Sequence, residues 1–160
     1  MNALLIFYSR TGTTRKVAED VSSLLDCDVE EVADKRNTRG FLGFMLAGMD
    51  ATLRRLTDIS ETKKDPASYD VVIIGTPNWN RNISSAIRTY ITLKREGIKD
   101  AAFFCTQDGS KGTRVFAEME LLYGRKPIAA LKVDKKEVDA GTHFSKIKSF
   151  VEDIRKGNKE

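Results

Sequence analysis

Residues 3–14 read Ala3-Leu4-Leu5-Ile6-Phe7-Tyr8-Ser9-Arg10-Thr11-Gly12-Thr13-Thr14, an apolar run that passes straight into a turn rich in hydroxyl side chains. An unbroken apolar run with β-branched and aromatic members predicts a strand that is buried on both faces. After the turn, Val17, Val21 and Leu24 recur at the spacing of one helix face. A buried strand followed closely by a helix is the first half of a β-α-β unit, so the sequence predicts a parallel sheet.

The same alternation continues along the chain. Further strands are predicted at residues 28–32, 71–74, 101–105 and 128–133, and the alternating pattern of the first suits a strand nearer the sheet edge. Helical spacing follows the last three of these strands, at residues 83–91, 115–123 and 144–154, and the final helix is predicted to end at Lys156-Gly157. Strands that alternate with crossover helices predict an α/β fold with helices on both faces of the sheet. The sequence shows no linker or repeat, so residues 1–160 are predicted to form one domain.

The segment 34–64 interrupts this alternation. A polar turn at 34–37 precedes an apolar cluster with three glycines at 40–49, and residues 51–56 are predicted as a helix. So apolar an insertion has to bury itself. Two interpretations stay open: the segment packs over the edge of the sheet, or residues 41–56 close part of a ligand site or form an isologous contact with a second copy.

Composition excludes several classes of protein. The chain is 160 residues long, 41% hydrophobic and 31% charged, as in soluble globular proteins, and no run approaches the ~18 apolar residues of a membrane helix. The first residues lack the features of a signal peptide, so we expect a cytoplasmic protein. A net charge of +4, with acids scattered among the bases, does not predict a nucleic-acid surface. Cys27 and Cys105 form no CxxC motif and His143 stands alone, so no metal site is predicted and both thiols are expected to be reduced and structural.

Ligands of open parallel sheets bind beyond the carboxyl ends of the strands, so the segments that follow the strands form the candidate site. The first segment, residues 9–14, combines four hydroxyl groups with a glycine and a helix N terminus, which suits a phosphate group. The plainer alternative is a helix cap, for which one hydroxyl would suffice. The chain contains neither GxGxxG nor GxxxxGK[ST], so neither a dinucleotide nor a nucleoside triphosphate is predicted.

Two further segments follow neighbouring strands. Residues 75–84 place Trp79, the single tryptophan, in a polar loop, where an indole is expected to cover a flat ligand unless it tucks under its own loop. Residues 106–113 combine two glycines with short polar side chains, which allows close backbone approach to a ligand, although such loops often only turn the chain. Together the three segments predict a crevice with a phosphate site, an aromatic wall and backbone hydrogen-bonding groups.

These segments resemble those of the flavodoxins. Ser9-Arg10-Thr11-Gly12-Thr13-Thr14 is similar to the S/T-x-T-G-x-T phosphate loop of that family, and Gly75-Thr76-Pro77-Asn78-Trp79 is similar to its G-[ST]-P-x-W loop. Thr106-Gln107-Asp108-Gly109-Ser110 falls where the third flavin loop lies, and the resemblance covers essentially the whole chain. It implies a flavodoxin-like three-layer α/β/α sandwich, with a five-stranded parallel sheet in the order 2-1-3-4-5 and with FMN bound non-covalently.

The resemblance also implies which residues contact FMN. The phosphate would be bound by the first segment, at Ser9, Arg10, Thr11, Gly12, Thr13 and Thr14. The isoalloxazine would be lined by the second segment, with Trp79 as the stacking ring, at Thr76, Pro77, Asn78, Trp79 and Asn80. The pyrimidine edge or the ribityl chain would be reached by the third segment, at Thr106, Gln107, Asp108 and Gly109.

The function that the resemblance implies is electron transfer through FMN to a redox partner protein or a small-molecule acceptor, by a monomer or a homodimer. Two alternatives stay open: an NAD(P)H-dependent FMN reductase or quinone-type oxidoreductase, and, outside redox chemistry, a module that binds a phosphate ligand. A receiver-like module is disfavoured because the strands end without the acidic cluster that holds magnesium. No catalytic base or nucleophile is evident. Cations in or just after the three segments predict a positive setting that favours two-electron reduction: Arg10, Arg81, Arg88, Lys111 and Arg114.

Overall fold

The computed structural model of the chain describes residues 1–35, 40–109 and 114–158, in which helices cover both faces of a mainly parallel sheet. The strands are β1 (Ala3–Phe7), β2 (Asp28–Glu31), β3 (Val71–Trp79), β4 (Asn82–Ile83), β5 (Asp100–Gln107) and β6 (Ala129–Asp134). The sheet order is β2-β1-β3-β5-β6, with every neighbouring pair parallel. The short strand β4 pairs antiparallel with the end of β3. With β4 set aside, the five parallel strands have the predicted order 2-1-3-4-5, which is confirmed.

The helices of the described residues form the two outer layers: α1 (Thr13–Leu25), α2 (Gly40–Thr52), α3 (Ser85–Lys94), α4 (Arg114–Tyr123), α5 (Lys135–Asp139) and α6 (Phe144–Gly157). Successive residues of β1 point to opposite faces of the sheet. Leu5 and Phe7 pack with α1 and α6, while Leu4 and Ile6 pack with α3 and α4. The predicted three-layer α/β/α sandwich is therefore confirmed.

Two strands run further than their apolar runs. β3 continues past Ile74 to Trp79 and β5 ends at Gln107, because the parallel ladder between them extends to the pair Pro77 and Thr106. The sequence predicted a loop over residues 75–84, which is wrong for the end of β3 and for β4. Backbone hydrogen bonds to a neighbouring strand hold these polar residues in extended form, and the hydrophobic pattern does not report such bonds.

Gly75 is the point at which β3 leaves the apolar run, and a close approach requires a glycine there. A Cβ atom at Gly75 would lie 2.0 Å from the phenyl ring of Phe104. Both residues are fully buried. Any larger residue at position 75 would therefore displace the Phe104 ring.

The insertion between β2 and β3 contains a helix at a different place from the predicted one. α2 spans Gly40–Thr52, whereas the pattern predicted a helix over residues 51–56. Its glycines do not prevent a helix, since each weakens it by only about 1 kcal/mol relative to alanine. The chain leaves the helical conformation at Arg54, whose φ of 53° is left-handed.

Smaller differences lie elsewhere. α5 was not predicted, and it begins with a capping box in which the side chains of Asp134 and Glu137 satisfy each other's backbone N–H groups. α6 includes Gly157 and is capped by Asn158, so the predicted cap at Gly157 was wrong by one residue. Ile83 belongs to β4 rather than to the helix predicted over residues 83–91. Among the described residues, no helix has the length and apolarity needed to cross a bilayer.

Candidate functional site

A cavity of ≈ 280 Å³ lies at the carboxyl ends of β1, β3 and β5, beside the N terminus of α1. Residues from all three predicted segments line it together with one residue of α5: Arg10, Thr11, Thr13, Thr14, Pro77, Asn78, Trp79, Thr106, Gln107, Asp108 and Lys135. The order of an open sheet reverses between β1 and β3, and ligands of such sheets bind in the crevice at that point. The structure thus brings the three segments together.

The Ser9 side chain joins the first segment to the first turn of α1 by hydrogen bonds to backbone N–H groups. Its Oγ accepts hydrogen bonds from the backbone N–H groups of Gly12 and Arg15, both at 3.2 Å. Gly12 stands at the N-cap of α1 with a φ of 97°, a left-handed conformation that glycine adopts without strain. Neither Ser9 nor Gly12 is among the residues that line the cavity. Both residues shape the turn, and their predicted contacts with a ligand stay predictions.

The threonines of the first segment border the cavity. Thr14 is buried and its Oγ1 lies 2.7 Å from Oγ1 of Thr106, so a hydrogen bond joins the first segment to the third. Thr11 is exposed and Thr13 is half-buried. The first turn of α1 contains no acidic residue, and the backbone N–H groups of Thr13 and Thr14 have no acceptor within the helix. The positive end of the helix dipole and the hydroxyls of Thr11 and Thr13 therefore meet where an anion would bind.

The end of β3 supplies an aromatic wall. Trp79 is half-buried, lines the cavity and meets the ring of Tyr8 edge-on, with ring centroids 5.8 Å apart and planes at 88°. The prediction that Trp79 stands in a polar loop was wrong, since it is the last residue of β3. Sequence reasoning missed Tyr8 as its neighbour. The position of Tyr8 directly before Ser9, at the end of the first strand, is the signal that could have identified it.

Two predicted contacts of the second segment, Thr76 and Asn80, are absent from the cavity lining. Thr76 is fully buried, and its Oγ1 accepts the backbone N–H of Ser84 at 3.1 Å, which joins β3 to the start of α3. Asn80 lies at the exposed tip of the β3–β4 hairpin, where its side-chain amide donates to Oγ1 of Thr52 at 3.3 Å. Thr76 therefore stabilises the fold, and Asn80 joins the hairpin to α2.

Amide groups reach the cavity from two neighbouring strands. Nδ2 of Asn78 donates to Oε1 of Gln107 at 3.3 Å. Gly109 does not line the cavity, and its backbone N–H donates to Oδ2 of Asp134 at 3.2 Å, which ties the third segment to α5. The ligand contact of Gly109 stays a prediction. Residues 110–113 lie outside the described residues, and with them the predicted cation Lys111.

The charged side chains of the cavity are Arg10, Asp108 and Lys135. Lys135 was missed because α5 was not predicted, although the capping box that begins α5 is visible in the sequence. The pKa of Lys135 is raised, first by its hydrogen bond to Asp139 and then by the charges of Asp139 and Asp108. Lys135 is therefore positively charged at neutral pH.

Not all the predicted cations belong to this site. Arg88 is buried, with its Nη2 2.7 Å from Oε1 of Glu118, and neither it nor Arg81 or Arg114 lines the cavity. Arg88 therefore stabilises the contact between α3 and α4 instead of acting on a ligand. Within the described residues, the predicted positive setting is reduced to Arg10 and to Lys135, which forms an ion pair with Asp139, against Asp108.

The cysteines do not suit nucleophilic chemistry. Cys27 and Cys105 are free thiols, as predicted. Burial raises the pKa of Cys27 to about 11 and that of Cys105 to about 12, so both are protonated at neutral pH. In the part of the chain that the structure describes, no cluster of three His, Cys, Asp or Glu side chains is placed to hold a metal ion.

Several solved structures resemble the chain. A flavoprotein from Lactobacillus acidophilus NCFM, crystallised in complex with FMN, gives a TM-score of 0.73 at 23% identity, over 88% of this chain and 98% of that chain. The two-electron reduced flavodoxin of Megasphaera elsdenii gives 0.64 at 14% identity, with 99% of each chain covered. Oxidised Flavodoxin 1 from Bacillus cereus gives 0.58 at 19% identity, over 95% of this chain and 98% of that chain.

These likenesses are structural. No protein-family model matches the chain, and no curated protein matches it in sequence. The roles of the lining residues toward a ligand therefore stay predictions. The strand order, the helix layers and the similar solved structures agree, and together they show that the chain has the flavodoxin-like fold.

Proposed function

We propose that the chain binds FMN in this cavity and transfers electrons through it. One observation carries the proposal: threonine hydroxyls, an indole and side-chain amides from three separate segments line one cavity beside the N terminus of α1. The similar flavoprotein from Lactobacillus acidophilus NCFM was crystallised with FMN. Its likeness supports the proposal through the fold, and the chain's own residues supply the rest of the argument.

The side chains present fit the chemical parts of FMN. Thr11 and Thr13, the first turn of α1 and Arg10 suit a phosphate. Trp79 offers a flat aromatic surface, and Asn78 and Gln107 offer amide groups for the polar edge of a ring. A volume of ≈ 280 Å³ lies near the lower end of the roughly 300–1,000 Å³ of small-molecule pockets, which suits one nucleotide better than the two of FAD.

The chain's contribution would be binding and orientation. When bound, FMN would supply the redox chemistry. Thr11 and Thr13 would donate O–H hydrogen bonds to the phosphate oxygens. Trp79 would cover one face of the ring system and exclude water from it, while Gln107 would hold its polar edge in a fixed orientation. The hydrogen bond between Thr14 and Thr106 would keep the first segment, which suits the phosphate, at a fixed distance from the third segment.

A second candidate function is an NAD(P)H-dependent FMN reductase or quinone-type oxidoreductase, which Arg10 and Lys135 at the cavity favour. Cations near a redox centre stabilise the negative charge that a second electron brings. Such a protein would take electrons from NAD(P)H and pass them to a quinone or another acceptor, whereas a shuttle would exchange single electrons with a protein partner. Outside redox chemistry, the same cavity could serve as a binding module for a phosphate ligand.

The flavin titration of the purified protein tests the proposal. We expect visible flavin absorbance and FMN binding that Thr11→Ala with Thr13→Ala weakens at least about tenfold, since a hydrogen bond to a charged acceptor contributes about 1.5–3 kcal/mol. Riboflavin, which has no phosphate, should bind both forms equally. The matched control, Thr62→Ala with Thr92→Ala, removes two hydroxyls outside the cavity lining and should leave FMN affinity unchanged.

The outcomes separate the alternatives. Equal losses for FMN and riboflavin would refute the phosphate assignment, and a wild-type chain that binds no flavin would refute the cofactor. Oxidation of NADH or NADPH with a quinone acceptor would identify a reductase. Phosphate-ester binding without flavin binding would identify the non-redox module.

A further inference from the structure

We propose that Lys135 of α5 binds the phosphate of the ligand and selects a phosphate monoester over the same compound without its phosphate. The inference rests on the proposed function in one respect, that the ligand in the cavity carries a phosphate. Lys135 lines the same cavity as Thr11 and Thr13. It follows β6 directly, so it would add a fourth segment to the three that the sequence predicted.

Polar contacts hold α5 between the third segment and α1. Oδ2 of Asp134, the residue before α5, accepts the backbone N–H of Gly109 at 3.2 Å. The Glu137 carbonyl lies 3.2 Å from Nδ1 of His143, and Nε2 of that ring lies 2.8 Å from Oδ2 of Asp20 in α1. His143 and Asp20 are both buried. The first residue of α5 is therefore held at the cavity by the fold itself.

The charge balance of the cavity depends on Lys135. A phosphate monoester carries a charge of about −1.5 to −2 at neutral pH. The charged side chains of the described lining are Arg10, Lys135 and Asp108, so they carry one net positive charge with Lys135 and none without it. Asp108 alone would offset Arg10. Lys135 therefore supplies the excess positive charge that favours a doubly charged anion.

Asp139 is the competitor for Lys135. Nζ of Lys135 lies 2.5 Å from Oδ2 of Asp139, and the two side chains are 43% and 61% exposed. The charge of Asp108 also acts on Lys135, and Asp108 is exposed as well. An exposed ion pair contributes at most about fivefold to an equilibrium, whereas a hydrogen bond to a charged ligand group contributes about tenfold or more. The exchange of Asp139, which lies outside the cavity lining, for a phosphate inside it is therefore favourable.

Two other roles for Lys135 predict different results. Its pair with Asp139 spans one turn of α5, and such a pair stabilises a helix slightly. That role alone predicts a lower melting temperature when Lys135 is replaced, and an unchanged preference for FMN over riboflavin. A contact with the flavin ring instead predicts equal losses of affinity for both ligands. The ratio of the two affinities therefore distinguishes phosphate binding from either role.

Titration of the purified full-length chain with FMN and with riboflavin tests the proposal. Lys135→Gln should weaken FMN binding about fivefold or more and change riboflavin binding by less than about twofold, because riboflavin has no phosphate. The matched control is Lys136→Gln, which removes the same charge from the next residue of α5. Lys136 is exposed and outside the cavity lining, so both affinities should stay within about twofold. Circular dichroism verifies that each variant is folded.

A second variant tests the competition with Asp139. Asp139→Asn should raise the affinity for FMN about twofold to fivefold, because Lys135 no longer has to leave an ion pair. Combined with Lys135→Gln, the same substitution should have no effect. An equal gain in both backgrounds would reflect a general change in charge, and it would contradict the exchange of partners on which the proposal depends.

The outcomes separate this inference from the proposed function. If Thr11→Ala with Thr13→Ala weakens FMN binding and Lys135→Gln does not, the proposed function stands and the inference fails. Equal losses of FMN and riboflavin in Lys135→Gln would also overturn the inference. If the wild-type chain binds no flavin, the proposed function fails and a titration with phenyl phosphate decides the inference. Weaker binding of phenyl phosphate to Lys135→Gln than to the wild-type chain would support it, and equal or absent binding would overturn it.

Discussion

α1 and α2 both have 13 residues and are built in opposite ways. α1 buries Val17, Ala18 and Val21 against the sheet and turns most of its charged side chains to solvent. α2 contacts α3 and the β3–β4 hairpin, exposes its leucines and methionines, and buries Asp50. The comparison teaches that apolar content alone does not place a helix in the core. The described apolar side chains of α1 face the sheet, whereas the described leucines and methionines of α2 face solvent.

α1 and α2 also contribute differently to the stability of the fold. The periodic face of α1 stabilises the fold, and residues of its first turn line the cavity. α2 adds little buried apolar surface from its exposed face, so that face is free for an interaction. The exposed apolar residues of α2, here called the stripe, are Leu42, Met45, Leu46 and Met49. The free energy of unfolding should therefore depend steeply on the apolar residues of α1 and weakly on those of the stripe.

The largest expected effect comes from a carboxylate placed on each helix. Val21→Asp buries an unpaired charge in the core and should lower the free energy of unfolding by more than about 4 kcal/mol, or prevent folding. Leu46→Asp, on the exposed stripe, should change it by less than about 1 kcal/mol. Urea unfolding followed by circular dichroism measures both. Equal losses would mean that the stripe is buried in solution and would remove the contrast between the two helices.

The next effect concerns the buried carboxylate of α1. Oδ2 of Asp20 lies 2.8 Å from Nε2 of His143, and Oδ1 accepts a hydrogen bond from Lys16 at 2.7 Å. Asp20→Asn should destabilise the fold by about 1–3 kcal/mol, since it disrupts the buried hydrogen bond to His143 and removes the carboxylate that pairs with Lys16. The matched control is Glu31→Gln, which breaks the exposed pair with Arg15 and should cost less than about 1 kcal/mol.

A double-mutant cycle sharpens this prediction. Asp20→Asn combined with His143→Gln should cost less than the sum of the two single variants, because each removes the same contact between α1 and α6. Strict additivity would contradict a coupled pair and would assign the stability of α1 to its apolar face alone.

The comparison of α1 with α2 also explains which parts of the fold could be predicted from the sequence. β1 could be predicted from its unbroken apolar run. α1, α3, α4 and α6 could be predicted because apolar periodicity reports which helix face meets the sheet. α2 could not, since its nearly uniform apolar composition has no preferred face. The extension of β3 to Trp79 could not be predicted either, because it depends on hydrogen bonds to β5 and β4 rather than on burial.

Part of the candidate site could likewise be predicted from the sequence, and part could not. Thr11, Thr13, Trp79 and Gln107 line the cavity as predicted, because their segments follow strands that end at one edge of the sheet. Residue type does not reveal which hydroxyls turn inward, and Ser9 satisfies backbone N–H groups of its own loop instead of facing the cavity. The direction of a small polar side chain depends on the local hydrogen bonds that only the folded turn presents.

A smaller effect is expected at Trp79, and it rests on the proposed function. If the indole covers FMN, its fluorescence should fall on FMN binding and recover when FMN is removed. Trp79→Ala should weaken FMN by about 0.5–1.5 kcal/mol, roughly threefold to tenfold, whereas Trp79→Phe should keep most of the affinity because the aromatic face remains. The same emission with and without FMN would place the indole away from the ligand and leave its contact with Tyr8 as its role.

The smallest effect lies at the hairpin that Asn80 joins to the end of α2. Asn80 and Arg81 have φ values of 50° and 65°, so the two-residue connection between β3 and β4 requires left-handed backbone at both positions. Such turns favour glycine second, and a left-handed conformation costs a side-chain-bearing residue about 1–2 kcal/mol. Arg81→Gly removes that strain but gains unfolded-state entropy of about 0.5–1 kcal/mol, which leaves a net stabilisation of about 0.5 kcal/mol.

The matched control is Arg95→Gly, because Arg95 ends α3 with a right-handed φ of −51°. Glycine there relieves no strain, brings the entropic penalty and removes the long hydrogen bond from Arg95 Nη1 to the Leu122 carbonyl. Urea unfolding should therefore move in opposite directions for the two variants, upward for Arg81→Gly and downward by about 0.5–1 kcal/mol for Arg95→Gly. If Arg81→Gly destabilises the fold as much as the control does, the left-handed turn is not strained.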